Sequence, residues 1–81
     1  MSSLMAIKVN GRESKAPNLQ EVLTKYGCNI ITRVGFHETS EDKCSMDGII
    51  ILQLCGDESE VNSLYNDVKS LDGITVKFIE F

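Results

Sequence analysis

The amino-acid sequence predicts an α+β domain whose four strands and two helices follow one another as β-α-β-β-α-β, on three observations. Two segments repeat apolar residues at helical spacing, the segments that flank them are β-branched or alternate with period two, and glycine-containing turns separate the two kinds.

The first strand is Leu4 to Val9, where Met5, Ile7 and Val9 alternate with Ala6 and Lys8, and Asn10-Gly11 ends it. Pro17 suits the first helical position, because its missing N–H is not needed there. From Pro17 to about Tyr26, Leu19, Val22, Leu23 and Tyr26 make one apolar stripe, Gln20, Glu21, Thr24 and Lys25 face water, and Gly27 stops the helix. Asn29 to His37 is β-branched without helical period and reads as the second strand. Alternation puts Ile30, Thr32, Val34 and Phe36 on one face and Ile31, Arg33, Gly35 and His37 on the other. Residues 38–47, with Glu38, Glu41, Asp42 and Asp47, read as a solvated hairpin connection closed by Gly48. Ile49 to Cys55 is apolar on both faces, as expected of a central strand that is covered on both sides. Asp57 caps the second helix with Glu60 reaching back from the third helical position, and Val61, Leu64, Tyr65, Val68 and Leu71 form its stripe. Asp72-Gly73 stops it, and Ile74 to Phe81 is the last strand.

Two strand-helix-strand crossovers joined by a hairpin give the ferredoxin-like arrangement, a four-stranded antiparallel sheet with both helices on one face. Ile7, Leu23, Ile50, Leu52, Leu64, Val68 and Val76 are its expected core. Opposite the helices, Ala6, Ile31, Ile49, Ile51, Ile79 and Phe81 form an apolar set that predicts a homo-oligomer, a dimer first and a tetramer next.

Composition bounds the function. With 81 residues the chain has room for one domain, residues 1–81, whose small core gains from a second subunit. The 12 acidic residues outnumber the 8 basic ones, no run of Lys or Arg occurs, and direct nucleic-acid binding is disfavoured. No apolar run has membrane-spanning length and Met1-Ser2-Ser3-Leu4-Met5 lacks the pattern of a secretory signal, so the expectation is a cytoplasmic protein without a membrane partner. Three cysteines without a C-x-x-C pair suit reduced thiols.

Ile31-Thr32-Arg33-Val34-Gly35-Phe36, the apolar run Gly48 to Leu54 and the ending Leu71-Asp72-Gly73-Ile74-Thr75-Val76-Lys77 resemble the iron-only hydrogenase system regulator family, over roughly residues 5 to 80. The resemblance implies a short, ACT-like, oligomeric regulatory domain, related also to the C-terminal domain of the nickel-responsive repressor. Its function would be sensing a small-molecule effector or engaging a regulatory protein partner. This chain departs from the family in its longer acidic connection with Cys44.

The resemblance to ACT domains directs attention to Asn10-Gly11, the turn where such domains bring backbone close to a bound amino acid, with Arg12 and Lys15 available to draw a carboxylate. A glycine turn is equally what a strand-to-helix connection requires. On the second strand, Gly35 permits close approach of a ligand or marks a bulge, and Arg33 and His37 share a face from which they reach a small anion or meet another subunit. Asn10, Gly11, Arg12, Arg33, Gly35 and His37 are thus the candidate ligand residues. A metal-sensing reading would join His37 to Cys44, with Cys28 or Cys55, which otherwise serve as small buried hydrophobes. A purely structural oligomerisation module is the third reading. The expectation includes no cofactor. No nucleophile and base stand at a convincing spacing, and Arg12 lacks the Gly-rich loop that small phosphatases of this topology need, so no enzyme is expected.

Overall fold

The computed structural model describes residues 3–9, 16–39 and 44–81. In chain order these form β1 (Ser3–Val9), α1 (Ala16–Lys25), a 3-10 turn (Gly27–Asn29), β2 (Ile30–Thr39), β3 (Cys44–Leu54), α2 (Glu58–Lys69) and β4 (Ile74–Glu80). The strands make one antiparallel sheet in the order β2-β3-β1-β4, and the α+β ferredoxin-like architecture is as the sequence predicts.

The register of β1 determines the core. Met5 lies between Leu52 and Phe78, and Ile7 between Ile50 and Val76, so the odd-numbered residues of β1 and the even-numbered ones of its neighbours share one face. On that face Met5, Ile7, Leu52 and Leu54 meet Leu19 and Leu23 of α1 and Val61, Leu64 and Val68 of α2, all essentially without solvent contact. Ile50 and Val76 pack partly buried against them, so all seven expected core residues are in place. Each fully buried large aliphatic side chain contributes about 1.5–3 kcal/mol.

The start of α2 is closed as its sequence requires. The Asp57 carboxylate accepts the Glu60 amide at 2.9 Å, and the Asp57 amide donates to Glu60 Oε1 at 3.1 Å. The Glu60 amide, with the Ser59 hydroxyl second, holds the Asp57 carboxyl below the usual carboxylate range. Gly56, at φ +110°, turns the chain from β3 into this cap, and a Cβ there would run into the Asn29 side-chain amide and Glu60 Oε1. Asn29 is buried and clamps the same corner, donating Nδ2 to the Cys55 carbonyl at 3.1 Å while its own carbonyl accepts the Cys55 amide at 2.9 Å.

Two expectations change. The hairpin arms run further than the apolar pattern indicates: β2 reaches Thr39, β3 begins at Cys44, and Thr39 pairs with Cys44. Part of the expected 38–47 connection is therefore strand, because ladder hydrogen bonds need no apolar side chain. The second correction concerns the faces of β2. Ile30 pairs with Leu54 but Thr32 with Gln53, leaving Ile31 as the extra residue of a β-bulge. Beyond it the alternation is shifted by one. Arg33, Gly35 and His37 join Ile30 on the helix side, and Thr32, Val34 and Phe36 lie on the helix-free side.

Candidate functional site

Two regions follow from this frame, one on each face of the sheet near its β2 edge. On the helix side, Arg33 is opposite Leu52 and Gly35 opposite Ile50. The Arg33 guanidinium is exposed and donates from Nη1 to Gln20 Oε1 of α1 at 3.0 Å, which spans the gap between helix and edge strand. Gly35 pairs in regular register; the irregularities fall at Ile30/Thr32 and His37/Thr39, so Gly35 is not the bulge. A Cβ at Gly35 would meet no atom within 4 Å, leaving the surface beside Arg33 open. The His37 backbone pairs with Gly48, which keeps it in phase with Arg33 and Gly35, while its side chain lies outside the described residues. Asn10, Gly11, Arg12 and Lys15 also lie outside them.

On the helix-free side the register gathers Val34 and Phe36 of β2, Ile49 and Ile51 of β3, Leu4 and Ala6 of β1 and Ile79 of β4. Val34 opposes Ile51 and Phe36 opposes Ile49, which makes two apolar cross-strand pairs near one edge. Val34 is 44% exposed and Phe36 56%, values that no helix of this chain reduces. The patch ends at one side in the Thr32–Gln53 pair, whose side chains hydrogen-bond at 3.0 Å. Of the set expected here, Ala6, Ile49, Ile51 and Ile79 are present. Ile31 is instead the exposed bulge residue and Phe81 follows the end of β4. Val34, Phe36 and Leu4 were not foreseen, and the bulge explains the first two.

The helices carry polar features that the sequence did not announce. The Tyr26 hydroxyl donates to Asp67 Oδ2 at 2.6 Å across α1 and α2, and Lys25 Nζ stands 3.5 Å from the same oxygen. This bond raises the Tyr26 pKa, and it is the main cause that lowers the Asp67 carboxyl, with Lys25 adding to the lowering. Beside this clasp an open groove of about 410 Å³ is lined by Asn18, Glu21, Val22, Lys25 and Leu71.

Cys28 is exposed and Cys55 half-buried, which corrects their reading as buried hydrophobes. Both lie just outside the ladder, in the 3-10 turn and after β3, where the core does not reach. Among the described residues no three of the His, Cys, Asp and Glu side chains come together as a metal-binding group. Among the same residues no helix is long and apolar enough to cross a membrane.

No family model matches the sequence, and no curated protein matches it. Solved structures do. An uncharacterized protein from Thermotoga maritima is similar with a TM-score of 0.83 at 26% identity, over 96% of this chain and 92% of that one. The divalent ion tolerance protein CutA1 from Ehrlichia chaffeensis has a TM-score of 0.61 at 17% identity, over 99% of this chain and 80% of that one. A dimeric ferredoxin-like protein of unknown function from Jannaschia sp. CCS1 has 0.52 at 10% identity, over 100% of both chains. Strand order, register and these likenesses together assign the chain the ferredoxin-like fold.

Proposed function

We propose that this chain is a non-catalytic, ACT-like regulatory module that works as a homo-oligomer. It assembles through the helix-free face of its sheet and carries an effector site on the other face. The observation that carries this reading is the apolar set Val34, Phe36, Ile49 and Ile51, paired across β2 and β3 without cover. A small sheet with one bare apolar face is completed most simply by a second copy in a closed two-fold pair. The dimeric state of the Jannaschia protein, which has the same fold, supports this.

On the helix side, the exposed Arg33 and the open surface at Gly35 suit a small anionic effector, with His37 on the same face. The iron-only hydrogenase system regulators are the family to which we assign the role. Regulation then passes through the effector and a partner protein, and genes for hydrogenase maturation beside this one are the expected genomic setting.

Light scattering at micromolar concentration tests the assembly. The expected result is a particle of twice the 9.0 kDa chain mass or more, which Ile51→Lys reduces to the single chain with its circular dichroism unchanged. A 9.0 kDa particle before substitution would remove the reading. Zinc or nickel that survives dialysis in stoichiometric amount and is lost in His37→Ala would replace it with a metal-sensing one.

A further inference from the structure

We propose that Cys28 and Cys55 form a reversible intramolecular disulfide, an oxidation site at the end of the sheet where β2 begins and β3 ends. The β2–β3 register brings the two together. Ile30 pairs with Leu54, and the pairing continues one step past the strands, where the Cys55 amide donates to the Asn29 carbonyl at 2.9 Å. The Cys55 thiol donates to the carbonyl oxygen of Cys28 at 3.5 Å. A carbonyl oxygen is about 2.4 Å from its own Cα, so the Cys55 sulfur lies within about 6 Å of the Cys28 Cα. Cys28 is also the chain neighbour of Asn29, the residue bonded to Cys55, so the two cysteines are diagonal neighbours across the corner, and a disulfide closes between residues whose Cα atoms are about 4.4–6.8 Å apart. The remaining adjustment falls on the Cys28 side chain, which is exposed and sits in a 3-10 turn outside the ladder. Buried Asn29 holds both backbones at this corner.

Exposure sets the order of events. The thiolate of exposed Cys28 attacks one sulfur of a low-molecular-weight disulfide, whose S–S bond breaks and releases one small thiol. The thiolate of half-buried Cys55 then attacks the Cys28 sulfur of the mixed disulfide. The Cys28–Cys55 bond forms and the second small thiol leaves. Two protein thiols are oxidised by two electrons, and the small disulfide is reduced to two thiols, which take up the two protons.

The site is separate from the helix-free apolar patch, since the Thr32–Gln53 pair stands between them, and it does not depend on the oligomer reading. Cys44 is at the far end of the same ladder, paired with Thr39, and serves as the internal control.

The test uses the full chain carrying Cys44→Ser, titrated with oxidised glutathione and followed by thiol counting, non-reducing electrophoresis and peptide mass mapping. The expected product has lost both thiols together, migrates as a single uncrosslinked chain and yields one linked peptide pair containing Cys28 and Cys55. Its thermal midpoint is raised by several degrees, because closing the loop from β2 to β3 constrains the unfolded chain. Dithiothreitol reverses the change. Glutathione trapped on Cys28 without further reaction, or crosslinks only between chains, would overturn the proposal. In chains with all other cysteines intact, Cys28→Ser and Cys55→Ser should each abolish the intramolecular bridge, whereas Cys44→Ser alone should leave it.

Discussion

The two faces of β3 have nearly the same chemistry and different fates. Ile50, Leu52 and Leu54 point to one side and Ile49 and Ile51 to the other, yet Leu52 and Leu54 are buried by α1 and α2 while Ile49 and Ile51 remain half-buried. The difference teaches that hydropathy states a need for cover without naming its source. Within this chain the helices meet that need once. What the other face lacks in intramolecular cover, we propose, a second copy supplies.

Leu64→Ala is the largest expected perturbation, because Leu64 has no solvent exposure and joins α2 to the covered face. It should destabilise the fold by about 2–5 kcal/mol in urea titration. A loss below about 1 kcal/mol would mean that the covered face tolerates a cavity as a loosely packed one does. Gly56→Ala should cost about 1–3 kcal/mol by strain at its positive φ, with further loss as the added Cβ runs into the Asn29 side-chain amide and into the Glu60 carboxylate that closes the cap of the covering helix. At Gly35, where a Cβ meets open space, the same substitution should stay within about 0.5 kcal/mol.

On the uncovered face Val34→Thr keeps a β-branched shape and removes apolar surface. Sedimentation should show association weakened roughly tenfold or more, with monomer stability little changed. Equal stability loss with no change in association would assign Val34 to the monomer alone.

The smallest effect concerns the clasp that holds the cover together. The folded Asp67 carboxyl is lowered, so its contribution is present above the unfolded carboxylate pKa and fades as pH falls through the folded one. Tyr26 is raised, so its contribution is full below the unfolded tyrosine pKa and fades as pH rises through the folded one. In Tyr26→Phe, urea midpoints measured across pH should lose this alkaline decline and show a shallower acid decline, the rest coming from Asp57 and from the Lys25 pairing that Asp67 keeps.

The elements that packing decides were legible in the sequence. The stripe of α2 and its Asp57–Glu60 cap are local patterns with one structural solution, and both are present. The extended hairpin was not legible, because residues such as Glu38 and Asp47 give no apolar signal in a ribbon. The candidate ligand residues were legible in phase only: Arg33, Gly35 and His37 do share a face, but it is the helix face, and the Gln20 bond to Arg33 depends on tertiary placement that alternation does not encode. Val34 and Phe36 were assigned to the wrong side for a single reason, since nothing in Asn29-Ile30-Ile31-Thr32 distinguishes a bulge from a regular step.

Ile31 therefore acts as a phase marker for the whole edge strand. Deleting this one residue would leave every other pairing and both faces as they are, whereas drawing it into the regular ladder, with Ile30 still opposite Leu54, would set Ile31 against Gln53 and move each later residue of β2 by one place. That one-place move would exchange the outward and inward sets, swinging Val34 and Phe36 to the helix side and sending Arg33 to the opposite surface. Chains of this fold that differ only in whether such a residue bulges can be alike in nearly every position and still present different surfaces to their surroundings. Aligning them without regard to the bulge would equate side chains that never occupy the same side of the sheet.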